Sequence, residues 1–327
     1  MLAPLTERIS DPSLQQLCDA SLRAYPGFVQ AVRDGSGIDP HLRLNGLLYA
    51  AFDFDTFEEL RRRVAAFSER AFSVRMLDHR EAIEFEPVLG KRVLGAALMD
   101  EEGHVDNRRL GRALLAACAS LGVIVKSNAG KVRVEHDGRK ALGVATDDGF
   151  FAAGAVVNAA GAWTACVGGL PPNCVPPVFP IKGQMLALAT PAAMIRHALW
   201  VPDAYLVPRD DGRVLIGATV ENCGFDLLVT AAGIHALLEA ALRSLPALKD
   251  FAITETWAGL RPATPDRIPF IGPTPLERYF LATGHFRNGI LLAPATATLV
   301  ADAIEGRSDE ALRLFSLARS GPEPAHA

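Results

Sequence analysis

Two arginines and a tyrosine are the side chains best suited to chemistry. Arg261 sits in Trp257-Ala258-Gly259-Leu260-Arg261-Pro262-Ala263-Thr264-Pro265-Asp266-Arg267-Ile268-Pro269-Phe270-Ile271-Gly272, whose prolines predict a stiff loop at the end of an apolar strand. A guanidinium held that way suits two-point capture of a carboxylate. The plain alternative is a structural ion pair to Asp266 or another acid. Tyr205 opens Tyr205-Leu206-Val207-Pro208-Arg209 and offers a phenol that can assist Arg261, although a strand tyrosine more often packs a sheet face. In Thr283-Gly284-His285-Phe286-Arg287-Asn288-Gly289-Ile290-Leu291-Leu292-Ala293-Pro294 a strand ends, glycines free the backbone and a helix begins. Such a helix start presents unpaired N–H groups and partial positive charge to an anion. His285, taken alone, reads as a hydrogen-bonded structural histidine. Finally, Val156-Val157-Asn158-Ala159-Ala160-Gly161-Ala162-Trp163 is an apolar strand running into small residues. Small residues admit close approach of a ligand, or simply allow tight packing.

Elements able to position these residues are legible from periodicity and punctuation. Residues 12–34 predict a helix that Pro26-Gly27 bends or interrupts, and 44–49 a strand. Asp55 is the expected N-cap of a helix carrying Phe57, Leu60, Val64 and Phe67 at helical spacing. Arg61-Arg62-Arg63, with Glu58, Glu59 and Glu69, reads as the solvated face of that helix. A second helix is expected from Asn107 to Gly122, bearing Leu110, Leu114, Leu115 and Cys118 on one face. Short strands follow at 123–125, 132–135, 142–146 and 155–158, then 184–188, 204–208 and 214–218. A helix capped by Thr230 runs to about Leu245, with strands near 253–257 and 279–283. The last helix spans about Asn288 to Glu305, with Gly306 as its C-cap. The pattern predicts an α/β (mixed α+β) fold of two interleaved layers. One comprises 1–35, 103–182 and 259–315; the other, an antiparallel sheet, comprises 36–102 and 183–258; 316–327 is expected to be a flexible tail.

The 327 residues are half hydrophobic and 21% charged, with a formal net charge of -4. That balance argues against a nucleic-acid binder, which is normally basic. The five cysteines are scattered without a CxxC pair, which predicts reduced thiols, a cytoplasmic location and no metal centre. No apolar run reaches the roughly 18 residues of a membrane span.

Taken in order, the segments resemble the D-amino-acid oxidase superfamily, and within it the glycine oxidases of thiamine biosynthesis. The resemblance runs from Met1 to about Gly306 and is carried by Met1-Leu2-Ala3-Pro4, Pro180-Ile181-Lys182-Gly183-Gln184-Met185-Leu186, Tyr205 to Arg209, Trp257 to Gly272 and Gly284 to Pro294. It implies FAD as cofactor, bound by the first of the two layers, and a small amino acid or amine as substrate. Arg261 then matches the arginine that pairs with the substrate carboxylate, Tyr205 its helper, and Arg287 a second arginine near substrate and flavin. Gly284, His285, Phe286, Arg287, Asn288, Gly289, Ile290 and Leu291 match the loop and helix start that hold the flavin ring. Ala159, Ala160, Gly161 and Met1 match further cofactor contacts, and Val132 a backbone contact. Arg267 stands where many relatives have glycine.

The implied reaction is oxidative deamination: hydride passes from the substrate Cα to the flavin, an imine results, and oxygen restores the flavin with release of hydrogen peroxide. One expected piece is lacking. A glycine-rich G-x-G-x-x-G turn between strand and helix normally grips FAD, and none occurs in the 327 residues. The chain is therefore expected to be N-terminally shortened relative to a functional enzyme and to bind FAD poorly. Other readings are a sarcosine, proline or other D-amino-acid oxidase or dehydrogenase, and a non-catalytic fragment or subunit needing a flavin-binding partner. A homo-oligomer stays open.

Overall fold

The computed structural model describes residues 1–327 except 8, 68–71, 192, 308–309 and 320–327. Glu69 and most of the expected tail thus lie outside the described residues. In chain order the elements begin with α1 (Pro12–Ser36), β1 (Leu47–Ala51), α2 (Phe54–Phe67), β2 (Val74–Leu77), α3 (His79–Phe85), β3 (Gly95–Met99) and α4 (Asn107–Ser120). Next come β4 (Arg133–His136), β5 (Ala141–Thr146), β6 (Gly149–Ala152), β7 (Val156–Asn158), β8 (Phe179–Ala189), β9 (Ala198–Val201), β10 (Ala204–Pro208) and β11 (Arg213–Gly217). The chain continues through α5 (Ala231–Ser244), β12 (Ile253–Ala263), β13 (Phe270–Pro273), β14 (Tyr279–Thr283), α6 (Gly289–Ile304) and α7 (Glu310–Leu314).

Eight strands form one sheet in the order β12-β8-β11-β10-β9-β1-β3-β2. All neighbours are antiparallel except β1 and β9. Residues of this sheet come from both 47–99 and 179–263, so the chain leaves it after β3 and returns at β8. One sheet face buries Leu186, Leu188, Leu199, Leu206 and Ile216 against Leu237, Ala240 and Ala241 of α5. A separate three-stranded sheet, β13-β14-β7, contains the parallel pair β14–β7, and β4-β5-β6 make a small antiparallel sheet.

α1 begins where the sequence says a helix should: the Asp11 carboxylate accepts from Leu14 N–H at 2.8 Å and Pro12 occupies the first turn. It ends at Gly37, in the left-handed region at φ 69°. Pro26 does not interrupt it. Its buried stripe of Leu14, Leu17, Cys18, Leu22, Tyr25 and Val29 packs on Leu291, Leu292, Leu299 and Val300 of α6.

Several expectations need correction. Asp53, not Asp55, caps α2, accepting from Thr56 N–H and its hydroxyl at 2.8 Å each. Arg63 is more than a solvated residue, because it donates to the carbonyls of Leu5 and Thr6 at 2.9 and 3.3 Å. Residues 123–125 form no strand; Val123, Ile124 and Val125 are exposed, and no described strand lies alongside to hydrogen-bond them. β12 runs on to Ala263, so Arg261 stands on a paired strand rather than in a loop. Leu317–Arg319 is not loose either: Leu317 is buried and Arg319 pairs with Asp266 at 2.9 Å.

Candidate active site

The segment Met1–Glu7 has little regular structure, and a buried carboxylate organises it. Glu102, inaccessible to solvent, accepts from the backbone N–H of Leu5, from Thr6 N–H at 3.1 Å and from the Thr6 hydroxyl. Leu2 exchanges backbone hydrogen bonds with Gly103. Position 103 requires glycine, since a Cβ there would lie 1.9 Å from the Arg43 carbonyl oxygen. This anchoring brings Glu7 back beside α6.

β8 and β12 pair throughout, with Arg261 opposite Ile181 and Gly259 opposite Gly183. Arg261 Nη1 donates to the carbonyls of Thr219 and Lys182 at 3.0 and 3.3 Å. Those bonds fix the guanidinium plane across β8, where Gly183 leaves it room. The alternative ion pair to Asp266 does not form; Asp266 engages Arg319 instead. Tyr205 of β10 stands opposite Gly217 of β11. A Cβ at Gly217 would meet the Tyr205 ring and hydroxyl at 2.7 Å, so this glycine too serves its neighbour. Burial lowers the Arg261 pKa from its ordinary value and raises that of Tyr205, whose phenol is thereby kept protonated.

α6 starts at Gly289 behind Asn288, with no side chain capping its first amides. Pro294 lacks the N–H that would bond the Ile290 carbonyl. The Tyr25 hydroxyl donates to that carbonyl instead, at 3.0 Å, and the Ser21 hydroxyl donates to Leu291 O at 2.7 Å. Phe286 adopts a left-handed φ of 48°, with its N–H bonded to Pro262 O at 2.8 Å. The helix start is thereby tied to the strand bearing Arg261.

These parts converge on a cavity of about 420 Å³. Tyr205, Arg261 and Arg287 line it together with Met1, Phe286, Asn288, Gly289 and Ile290, and Met185 and Trp257 also border it. The other expected site residues lie elsewhere. His285 Nε2 bonds the Thr296 hydroxyl at 2.9 Å inside the protein, and desolvation lowers its pKa to about 4. Leu291 is buried in the core, and Gly284, at φ 76°, abuts Thr264. Ala159, Ala160 and Gly161 follow β7, next to the end of β14, where Thr283 donates to Gly161 O at 3.3 Å and bonds the Thr164 hydroxyl at 2.7 Å. The Val132 carbonyl accepts from Gly168 N–H at 3.0 Å.

Two neighbours escaped the sequence reading. Glu7 forms an ion pair with Arg287 at 3.1 Å and also lines the cavity. Trp200 of β9 lies 5.3 Å from the Arg287 guanidinium and 5.8 Å from the Tyr205 ring, supporting both. The one local signal for Glu7 is an acid next to an otherwise apolar opening segment; Trp200 carries none, being an aromatic in an apolar strand.

The family model of FAD dependent oxidoreductases, named DAO, matches residues 1–303. The chain belongs to this family. Among DAO relatives it is 37% identical to the bifunctional protein ThiO/ThiG of Synechocystis over 93% of the chain and 44% of that protein. The chain thus spans about half the length of such bifunctional relatives. It is 34% identical to glycine oxidase of Pseudomonas aeruginosa, over 94% of the chain and 83% of the relative. The crystal structure of glycine oxidase from Geobacillus kaustophilus superposes with a TM-score of 0.90 at 32% identity, covering 98% of this chain and 87% of that one.

The DAO cofactor, FAD, fits part of this architecture. The uncapped amides at Gly289 and Ile290 border the cavity and suit the electron-rich edge of a flavin ring. Gly161, at φ 56°, has nothing within 4 Å of where a Cβ would stand, which leaves open space beside the β7 end. The pyrophosphate has no comparable seat among the described residues, and β7 is paired on one side alone.

Proposed function

We propose that this chain carries the substrate half of an FAD-dependent amino-acid oxidase acting on glycine or a similar small amino acid or amine. The products would be an imine, hydrolysed to the oxo acid, and hydrogen peroxide from oxygen; thiamine thiazole synthesis is the fitting destination. The observation that carries the reading is the meeting of Arg261, Tyr205 and the α6 start at one cavity.

FAD supplies the two-electron acceptor when bound. Arg261 holds the substrate carboxylate in a plane set by its bonds to Thr219 and Lys182. Tyr205 donates its phenol proton to the same carboxylate. Trp257 and Met185 give apolar walls that limit water near the substrate Cα. No side chain has to remove a proton if the amine reacts in its neutral form, so positioning is the protein's main contribution. His285, held by Thr296 away from the cavity, takes no part.

Peroxide formation by the FAD-saturated protein, measured with glycine, sarcosine, D-alanine and D-proline, tests this. Turnover of at least one, abolished in Arg261→Met, is expected; turnover of none would sink the proposal.

A further inference from the structure

The ionisable groups of the cavity form a short inventory. Among its described lining residues Glu7 is the one carboxylate, and Arg261 and Arg287 are the cationic side chains. Glu7 and Arg287 are paired at 3.1 Å, both mostly buried. Arg261 has no carboxylate at ion-pair distance among the described residues; its Nη1 is bonded to carbonyls.

The position of the pair matters as much as its charge. Glu7, Phe286, Arg287 and Asn288 line this cavity and also a second one of about 310 Å³, bordered by Trp200, Asp266, Arg267 and Ile268. The Glu7–Arg287 pair therefore stands in the wall between two spaces. Trp200 beneath Arg287 keeps the guanidinium there independently of Glu7. Glu7 in turn is placed by the Glu102-anchored segment, with its N–H bonded to Ala3 O at 3.0 Å. Neither group depends wholly on the other for its location.

We propose that Glu7 sets the charge rule of the site: by pairing with Arg287 it leaves Arg261 as the single unmatched cation, and so selects substrates with one carboxylate over substrates with two. This rests on the reading of Arg261 as the carboxylate anchor. A second substrate carboxylate directed toward Arg287 meets the Glu7 carboxyl, which burial pushes above the usual carboxylate range and the Arg287 charge pulls back down, and like charges brought together at a desolvated site are strongly disfavoured. Without the Glu7 charge, Arg287 becomes a second anchor. The specificity follows from local charge balance rather than cavity size.

The test is isothermal titration of the FAD-saturated protein with acetate and with malonate, which reads binding without turnover. The parent is expected to favour acetate. Glu7→Gln should move the acetate-to-malonate preference toward malonate by about ten-fold or more, whereas Glu7→Asp, which keeps the charge, retains the parental ratio. Arg287→Gln leaves Glu7 unmatched and should move the ratio the opposite way. Glu7→Gln combined with Arg287→Gln restores the parental net charge and should bring the ratio back. An unchanged ratio in both single variants, or a double variant that keeps the Glu7→Gln ratio, overturns the proposal and leaves Glu7 a structural role. Ratio shifts of the expected signs in a protein that oxidises no amino acid would support the charge rule while removing the proposed activity. Binding of neither anion by the parent overturns both.

Discussion

The guanidinium of Arg261 lies so close over Gly183 that a Cβ at that position would stand 2.3 Å from both Nη1 and Nη2. The arginine's orientation is therefore set by a missing side chain on the neighbouring strand as much as by its own hydrogen bonds.

Gly183→Ala should tilt the guanidinium out of its plane while leaving the strand pairing of β8 and β12 in place. The expected result is a rise in KM for a carboxylate-bearing substrate of about 10- to 100-fold, with a smaller fall in kcat. Steady-state kinetics beside a thermal melt check this. An unchanged KM would show that the guanidinium finds its pose without the glycine.

Tyr25→Phe removes the donor that replaces the missing Pro294 N–H. The Ile290 carbonyl then loses its partner, at a cost of about 0.5–1.5 kcal/mol. Urea unfolding measures it directly. The companion variant Pro294→Ala restores a backbone donor and should reduce the penalty of Tyr25→Phe.

Arg267 holds a φ of 62°, a region that favours glycine, and its guanidinium lies 5.9 Å from the Phe286 ring. The departure noted in the sequence thus falls on a backbone position where an arginine is strained. Arg267→Gly should stabilise the protein by about 1 kcal/mol or less, because relief of the left-handed strain is offset by glycine's freedom in the unfolded chain and the lost ring contact. A lower melting temperature in thermal unfolding would show that the lost ring contact outweighs the strain.

Acid should weaken the fold through two desolvated histidines, His104 and His285. Desolvation depresses His285 from 6.5 to about 4, and desolvation followed by the Arg209 charge depresses His104 from 6.5 to about 3. Between those limits the unfolded chain binds more protons than the folded one, so stability rises with pH and is lost as pH falls from 6.5 toward 4 and 3. Glu102, raised to about 7 by burial, works in the opposite sense between 4.5 and 7. The histidine contribution is accordingly read as a difference: His104→Gln should flatten the acid limb of urea-midpoint against pH relative to the parent. An identical slope would mean that His104 titrates normally.

Much of the architecture was legible in the sequence because it rests on local rules. Thr230 and Gly306 mark helix ends, and β10 and β14 were placed at their observed limits by alternation and turn residues. The failures were non-local. Residues 123–125 have strand-like composition, yet a strand needs a hydrogen-bonding neighbour. Arg261 looked loop-borne because Pro262 argues against a strand, but its partner across the ladder, Pro180, likewise needs no bond from it. The site divides similarly. Arg261, Tyr205 and Arg287 are conspicuous by type, whereas Glu7 is recognisable only once Glu102, 95 positions later in the sequence, folds its segment against α6.

The ties of Tyr25 and Ser21 to the first turn of α6 have an electrostatic corollary. With those carbonyls already engaged, the turn has little latitude to rotate its free amides toward one another or toward solvent. Negative charge arriving at Gly289 and Ile290 would meet dipoles that are already aimed, with almost no reorientation left to perform. The proline that seems misplaced inside a helix is in this sense what couples a distant tyrosine to the stiffness of the field in the cavity.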